Sequence, residues 1–119
     1  MTKEMKDIVS KEETFDKLEI RLGRVVSAEI ESGAHKRSYK IKADFGKFGV
    51  KTTVARLTQH EAGELVDRLI VGILNFEARL VGETLSEFLL LGPQYPKADS
   101  GEASFLTTIV PAKVGSKIF

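Results

Sequence analysis

Residues 38–57 read SYKIKADFGKFGVKTTVARL. Tyr39, Ile41, Ala43 and Phe45 share one parity, and Ser38, Lys40, Lys42 and Asp44 the other. This is the period-two alternation of a strand that buries one face. The segment GKFG at 46–49 has glycine at both ends and joins two extended runs, so a hairpin is expected. The run Val50 to Leu57 is rich in β-branched residues and predicts a third strand with both faces in contact.

Working upstream, Ile20, Leu22, Val26, Ala28 and Ile30 alternate with Arg21, Ser27, Glu29 and Glu31, which predicts another half-buried strand. Gly23 interrupts it, as at a bulge or a barrel corner. Residues 1–14 form an N-terminal extension in which Met5, Ile8 and Val9 fall at helical spacing, suiting a short amphipathic helix or an ordered tail. Downstream, TQHEAGELVD at 58–67 carries an N-cap candidate, Thr58, and early acidic residues, so a helix is expected over Thr58 to Arg68. Leu69 to Phe76 and Phe88 to Leu91 are short apolar runs that suit buried strands. After the linker GPQYPKADSGEAS, Phe105 to Val110 reads as a last strand. Five or six strands with one helix between the third and fourth predict an all-β chain. The architecture expected is a five-stranded Greek-key barrel of the oligonucleotide/oligosaccharide-binding (OB) type over residues 15–119; a small sandwich or another kind of barrel is the alternative.

Composition narrows the chemistry. The 119 residues suit one domain, with 42% apolar and 29% charged residues. No apolar run approaches the roughly 20 residues of a membrane span, and the opening MTKEMKDIVSKEE is charged throughout, so neither a span nor a secretory signal is expected. The expected location is the cytoplasm. The absence of cysteine removes disulfides, thiolate nucleophiles and cysteine-ligated metals. His35 and His60 have no third ligand at metal spacing, and no P-loop, G-x-G-x-x-G or G-x-S-x-G occurs. No enzyme, metal or cofactor is expected. The net charge of +1 conceals polarity: between His35 and Lys51 six bases face only Asp44, whereas Leu57 to Ser104 is predominantly acidic. A ligand responds to this local field rather than to the sum.

Four stretches together resemble one family. FDKLEIRLGRVVSAE at 15–29 resembles the opening of the tRNA-binding-domain family. DFGKFGVKTTVARLT at 44–58, ILNFEARLVGETLSEFLLLG at 73–92 and the closing GSKIF at 115–119 resemble its CsaA-type secretion-chaperone branch. The chain departs from that branch at Thr52 to Arg56, where Q-S-S-A-Q is usual, and at Glu77, Ala78, Leu80 and Gly82 in the following loop. The resemblance implies an OB barrel, tRNA or another structured RNA as ligand, and a homodimer. It also implies, as the alternative function, a chaperone for unfolded export precursors in contact with the export machinery.

Lys36, Arg37, Lys40 and Lys42 are candidate phosphate contacts, with Lys51 and Arg56 beside them; a solvated outer barrel face is the competing reading. Asn75, Arg79, Ser86 and Glu87 bracket the fourth and fifth strands, where they either contact nucleotide or shape the loops. An apolar groove for precursor protein has candidates in Phe48, Phe76 and Phe88. Met5, Ile8 and Val9 at one end and Val114, Ile118 and Phe119 at the other lack an evident home in a small barrel and are the expected dimer interface.

Overall fold

The computed structural model of the chain describes residues 4–119. Strands β1 (Ile20–Ile30), β2 (Tyr39–Asp44), β3 (Val50–Ala55), β4 (Leu69–Ile73) and β7 (Leu89–Leu90) form one antiparallel sheet in the order β3-β2-β1-β4-β7. A separate hairpin, β5 (Arg79–Val81) and β6 (Thr84–Ser86), projects from it. The sheet curls until its outer strands approach. The backbone N–H of Glu87 donates to the Thr52 carbonyl at 2.7 Å, and the Thr53 hydroxyl donates to the Phe88 carbonyl at 2.7 Å. The result is a nearly closed five-stranded barrel of the OB type.

Its core follows from the β2 alternation: Tyr39, Ile41, Ala43 and Phe45 are all buried, joined by Val25, Leu57, Leu65, Ile70 and Phe88. Phe45 and Phe88 meet edge to face with centroids 4.9 Å apart. Glycines on two strands make room for them. A Cβ at Gly23 would lie 2.6 Å from the Phe45 ring, and one at Gly72 2.8 Å from that of Phe88. A second cluster, Ile20, Leu22, Val71 and Ile73, packs against Phe15, Leu18 and Ile118.

Four expectations are corrected. In β1 the register shifts between Val25 and Ser27, so Val25 takes the core position expected for Val26, and Val26 faces solvent. The cause is a bulge, which inserts one residue and reverses the parity beyond it. Ile30, the last residue of β1, is exposed. The helix α1 is one turn, Ala62–Leu65, and its N-cap is Glu61, paired with Glu64 in a capping box, while the Thr58 hydroxyl is engaged elsewhere. Val66 turns extended, at φ −62° and ψ 135°, which stops the helix, and Asp67 follows in the left-handed region at φ 72°. Buried Leu65 still plugs the barrel. Phe105 to Val110 is not a strand: only the Leu106 N–H reaches Leu91, and Ile109 and Val110 stand in solvent, so the closing strand is β7.

The ends differ from each other. Residues 4–10 contain neither helix nor strand, and Met5, Ile8 and Val9 are exposed. At the C-terminus Ile118 has a home after all: its N–H donates to the Ile20 carbonyl and its side chain joins the second cluster. Val114 is half-buried, and Phe119 is 95% exposed. Among the described residues no helix is long and apolar enough to cross a membrane.

Candidate nucleic-acid interface

A groove of about 1020 Å³ runs between the outer edge of β3 with the two residues after it (Thr53 to Leu57) and β7 with its flanks (Phe88 to Gly92). The β1–β2 loop at Ala34 to Lys36, the β5–β6 hairpin and residues 100–104 form its rims. Two of these rims are each fastened by a carboxylate. Glu31, just after β1, accepts the Thr84 hydroxyl and the Glu83 N–H, pinning the hairpin to the barrel. These hydrogen bonds, the Thr84 hydroxyl first, hold its carboxyl below the usual range. The hairpin turns at Gly82, where φ is 63° and a Cβ would meet Glu31 at 2.8 Å.

Glu102 does the same for the opposite rim. It accepts the Thr58 hydroxyl, itself 2.8 Å from that of Tyr95, and the Asp99 N–H at 2.7 Å. The Thr58 bond, then the Asp99 N–H, depress its pKa; for Asp99 the Ser100 N–H leads, followed by the charge of Lys36.

The candidate residues divide by how their polar atoms are occupied. Arg56, expected to contact phosphate, is largely enclosed and engaged: its guanidinium donates to the Arg37 and Ser100 carbonyls and pairs with Asp99 at 3.8 Å and Glu102 at 3.7 Å. Lys36 lines the groove 3.7 Å from Asp99, and Lys40 lies 3.9 Å from Glu29. Arg37 donates to the Tyr39 hydroxyl at 3.1 Å. Lys42, Lys51 and Arg79 have no ion pair among the described residues. Lys42 projects from the outer barrel face, registered between Ser27 and Thr52, whereas Arg79 lines the groove.

Asn75 faces the other way. Its side-chain oxygen accepts the Glu19 N–H and its amide donates to the Lys17 carbonyl, both at 2.8 Å, clamping the turn before β1. Ser86 and Glu87 line the groove but close the barrel: Ser86 meets the Thr53 hydroxyl at 3.1 Å, and the Glu87 carboxylate accepts the Thr52 N–H at 2.9 Å. Of the three phenylalanines, Phe88 is in the core and Phe48 lies outside the groove under the Arg21 guanidinium, 4.6 Å away. Phe76 stands in the groove 49% exposed. His60 bonds Ser104 at 3.1 Å and lies 3.3 Å from Glu64, tying α1 to the groove rim. No group of three His, Asp or Glu side chains suited to a metal occurs among the described residues.

An OB-type barrel with a partly cationic groove is thus the class that the fold and the site define. No family model matches the chain. In structure it is similar to the chaperone CsaA from Bacillus anthracis, with a TM-score of 0.83 and 29% identity over 94% of this chain and all of that one. The CsaA chaperone protein of Picrophilus torridus gives 0.83 and 27%, over 94% of this chain and all of that one. The fold also matches a MetRS-related protein from Pyrococcus horikoshii, with a TM-score of 0.79 and 20% identity over 96% of this chain and all of that one. Among curated sequences, the methionine–tRNA ligase of Pyrococcus abyssi is 31% identical over 118 residues, 98% of this chain. The chain spans about 15% of the length of that ligase.

Proposed function

We propose that this chain is a non-catalytic RNA-binding protein of the tRNA-binding-domain family, CsaA branch, and that it takes tRNA or a similarly structured RNA along the β3–β7 groove. The observation that carries this reading is Arg79: a cation at the groove, set on a hairpin that Glu31 pins, and without an ion pair among the described residues. Lys36 shares the groove, and Lys42 extends the positive surface over the barrel wall. Phosphates provide the missing counter-charge, and such contacts fix position rather than sequence. The similarity to methionine–tRNA ligase supports the ligand class, whereas the similarity to the chaperone CsaA bears on the second reading.

A second reading, a chaperone for unfolded precursor protein, is favoured by one specific observation: Phe76 presents an apolar surface in the same groove. A gel shift with total tRNA, run beside an aggregation assay on an unfolded client, separates the two. Binding of tRNA without suppression of aggregation supports the RNA reading; suppression without tRNA binding refutes it.

The protein acts as a homodimer in this proposal. Its apolar termini remain uncovered: Met5, Ile8, Val9 and Phe119 on one chain, with Ile109 and Val110 beyond the barrel, await a second copy. Because Ile118 is bound to its own barrel, Phe119→Ala is the cleaner test than deletion of both residues. Light scattering on a sizing column should show a dimer for the full chain and a shift towards monomer for the variant; a full chain that is monomeric at micromolar concentration contradicts the dimer.

A further inference from the structure

The outer edge of β3 is blocked on both sides of a single open position. In the β2–β3 ladder the Phe45 N–H donates to the Gly49 carbonyl, so the hydrogen-bonded pairs run from there through Ala43 with Lys51, Ile41 with Thr53 and Tyr39 with Ala55. Antiparallel pairs alternate. Thr52, Val54 and Arg56 therefore turn their main-chain groups away from β2, towards the groove. Thr52 is taken by Glu87, whose N–H and carboxylate satisfy its carbonyl and its N–H. The Arg56 carbonyl is taken by the Ala103 N–H at 3.2 Å. Val54, between them, lines the groove, and its N–H and C=O have no partner among the described residues.

We propose that this one open rung reads the edge of an unpaired base in the bound RNA; the inference rests on the RNA reading above and specifies its ligand as single-stranded nucleotide within a folded RNA. The size of the opening decides the occupant. An added peptide strand needs several successive rungs, and here Glu87 and Ala103 stop it after one. A flat group with a hydrogen-bond donor next to an acceptor fills one rung completely. Every nucleobase carries such a pair on its Watson–Crick edge, and the edge is free only when the base is unpaired. Phe76 and Arg79 line the same groove, an aromatic face for stacking and a cation for the adjoining phosphate. Contact through a main-chain N–H and C=O is tolerant of base identity, so weak sequence preference is expected.

Backbone amide resonances report on the rung directly. On titration with a short single-stranded RNA, the Val54 N–H should shift and its hydrogen exchange should slow, while the outward N–H of exposed Val50, on the same edge, stays unchanged. A blunt RNA duplex of equal charge should leave Val54 unaltered. In binding assays Val54→Pro, which removes the N–H from an edge strand, should weaken single-stranded RNA about three- to tenfold, the worth of one hydrogen bond. RNA that binds and shifts Arg79 but not Val54 overturns the base contact while leaving the RNA reading intact. Absence of any RNA binding overturns both. A Val54 response to an extended peptide but not to RNA assigns the rung to protein and overturns the proposal.

Discussion

The barrel wall and the groove rim are built on opposite principles. The wall, from Val25 through Phe45 to Ile70, is held by apolar packing around an edge-to-face phenylalanine pair and by regular ladders. The rim, from Tyr95 to Ala103, contains no extended strand or helix and hangs on Glu102, Arg56 and Thr58. Side chains that look alike in sequence consequently do different work. Lys42, on the wall, keeps its charge free, whereas Arg56, four residues beyond the cross-strand neighbour of Lys42, Thr52, gives its charge to the rim. A cation is available to a ligand only where the fold has not already used it.

The contrast can be broken first at the wall. Phe45→Ala removes a fully buried ring that contacts Phe88 and two glycines, and it should cost about 3–5 kcal/mol in denaturant unfolding. A loss under about 1 kcal/mol would mean that the pair is not the centre of the core. At the rim, Glu102→Gln should leave the unfolding midpoint nearly unchanged but speed hydrogen exchange at Asp99 and Ala103, since their N–H groups bond this network. Global destabilisation matching the loss of exchange protection would show that rim and wall unfold together.

Acid should separate the two regions more gently. Glu31, Asp99 and Glu102 all have depressed pKa values in the folded chain. Their contribution is therefore complete above the ordinary carboxylate range and is lost as pH falls through the lower, folded values. Below about pH 4 the hairpin and the rim should loosen before the barrel melts, read as amide exchange at Glu83 and Asp99. Wall and rim that lose protection at the same pH would contradict this separation.

The wall is legible in sequence because period-two burial leaves a one-dimensional trace: alternation alone puts Tyr39, Ile41, Ala43 and Phe45 in the core, where they lie. Where a bulge breaks the period, at Val25 and Val26, strict parity selects the wrong valine. The rim leaves no such trace. Glu31 to Thr84 and Thr58 to Glu102 are polar contacts across more than 40 residues, and nothing in the composition announces them. In sequence Glu31 is only an outward residue of a strand, and its role as the hairpin's anchor becomes visible once Thr84 is brought beside it. Asn75 and Glu87 have the residue types of a binding loop, yet their polar atoms are satisfied internally. Only Gly82, between two short β-capable runs, signals the hairpin that Glu31 pins.

The central claim is that cations left unpaired by the fold, Lys42 on the wall and Arg79 in the groove, carry RNA. The direct measurement is the salt dependence of tRNA binding, followed by fluorescence anisotropy, for the natural chain and for the Lys42→Ala, Arg79→Ala double variant. The account predicts weaker binding for the variant and a slope of log K against log salt flatter by about two units, one for each lost phosphate contact. Unchanged affinity and slope would contradict it and leave the cationic face merely solvated.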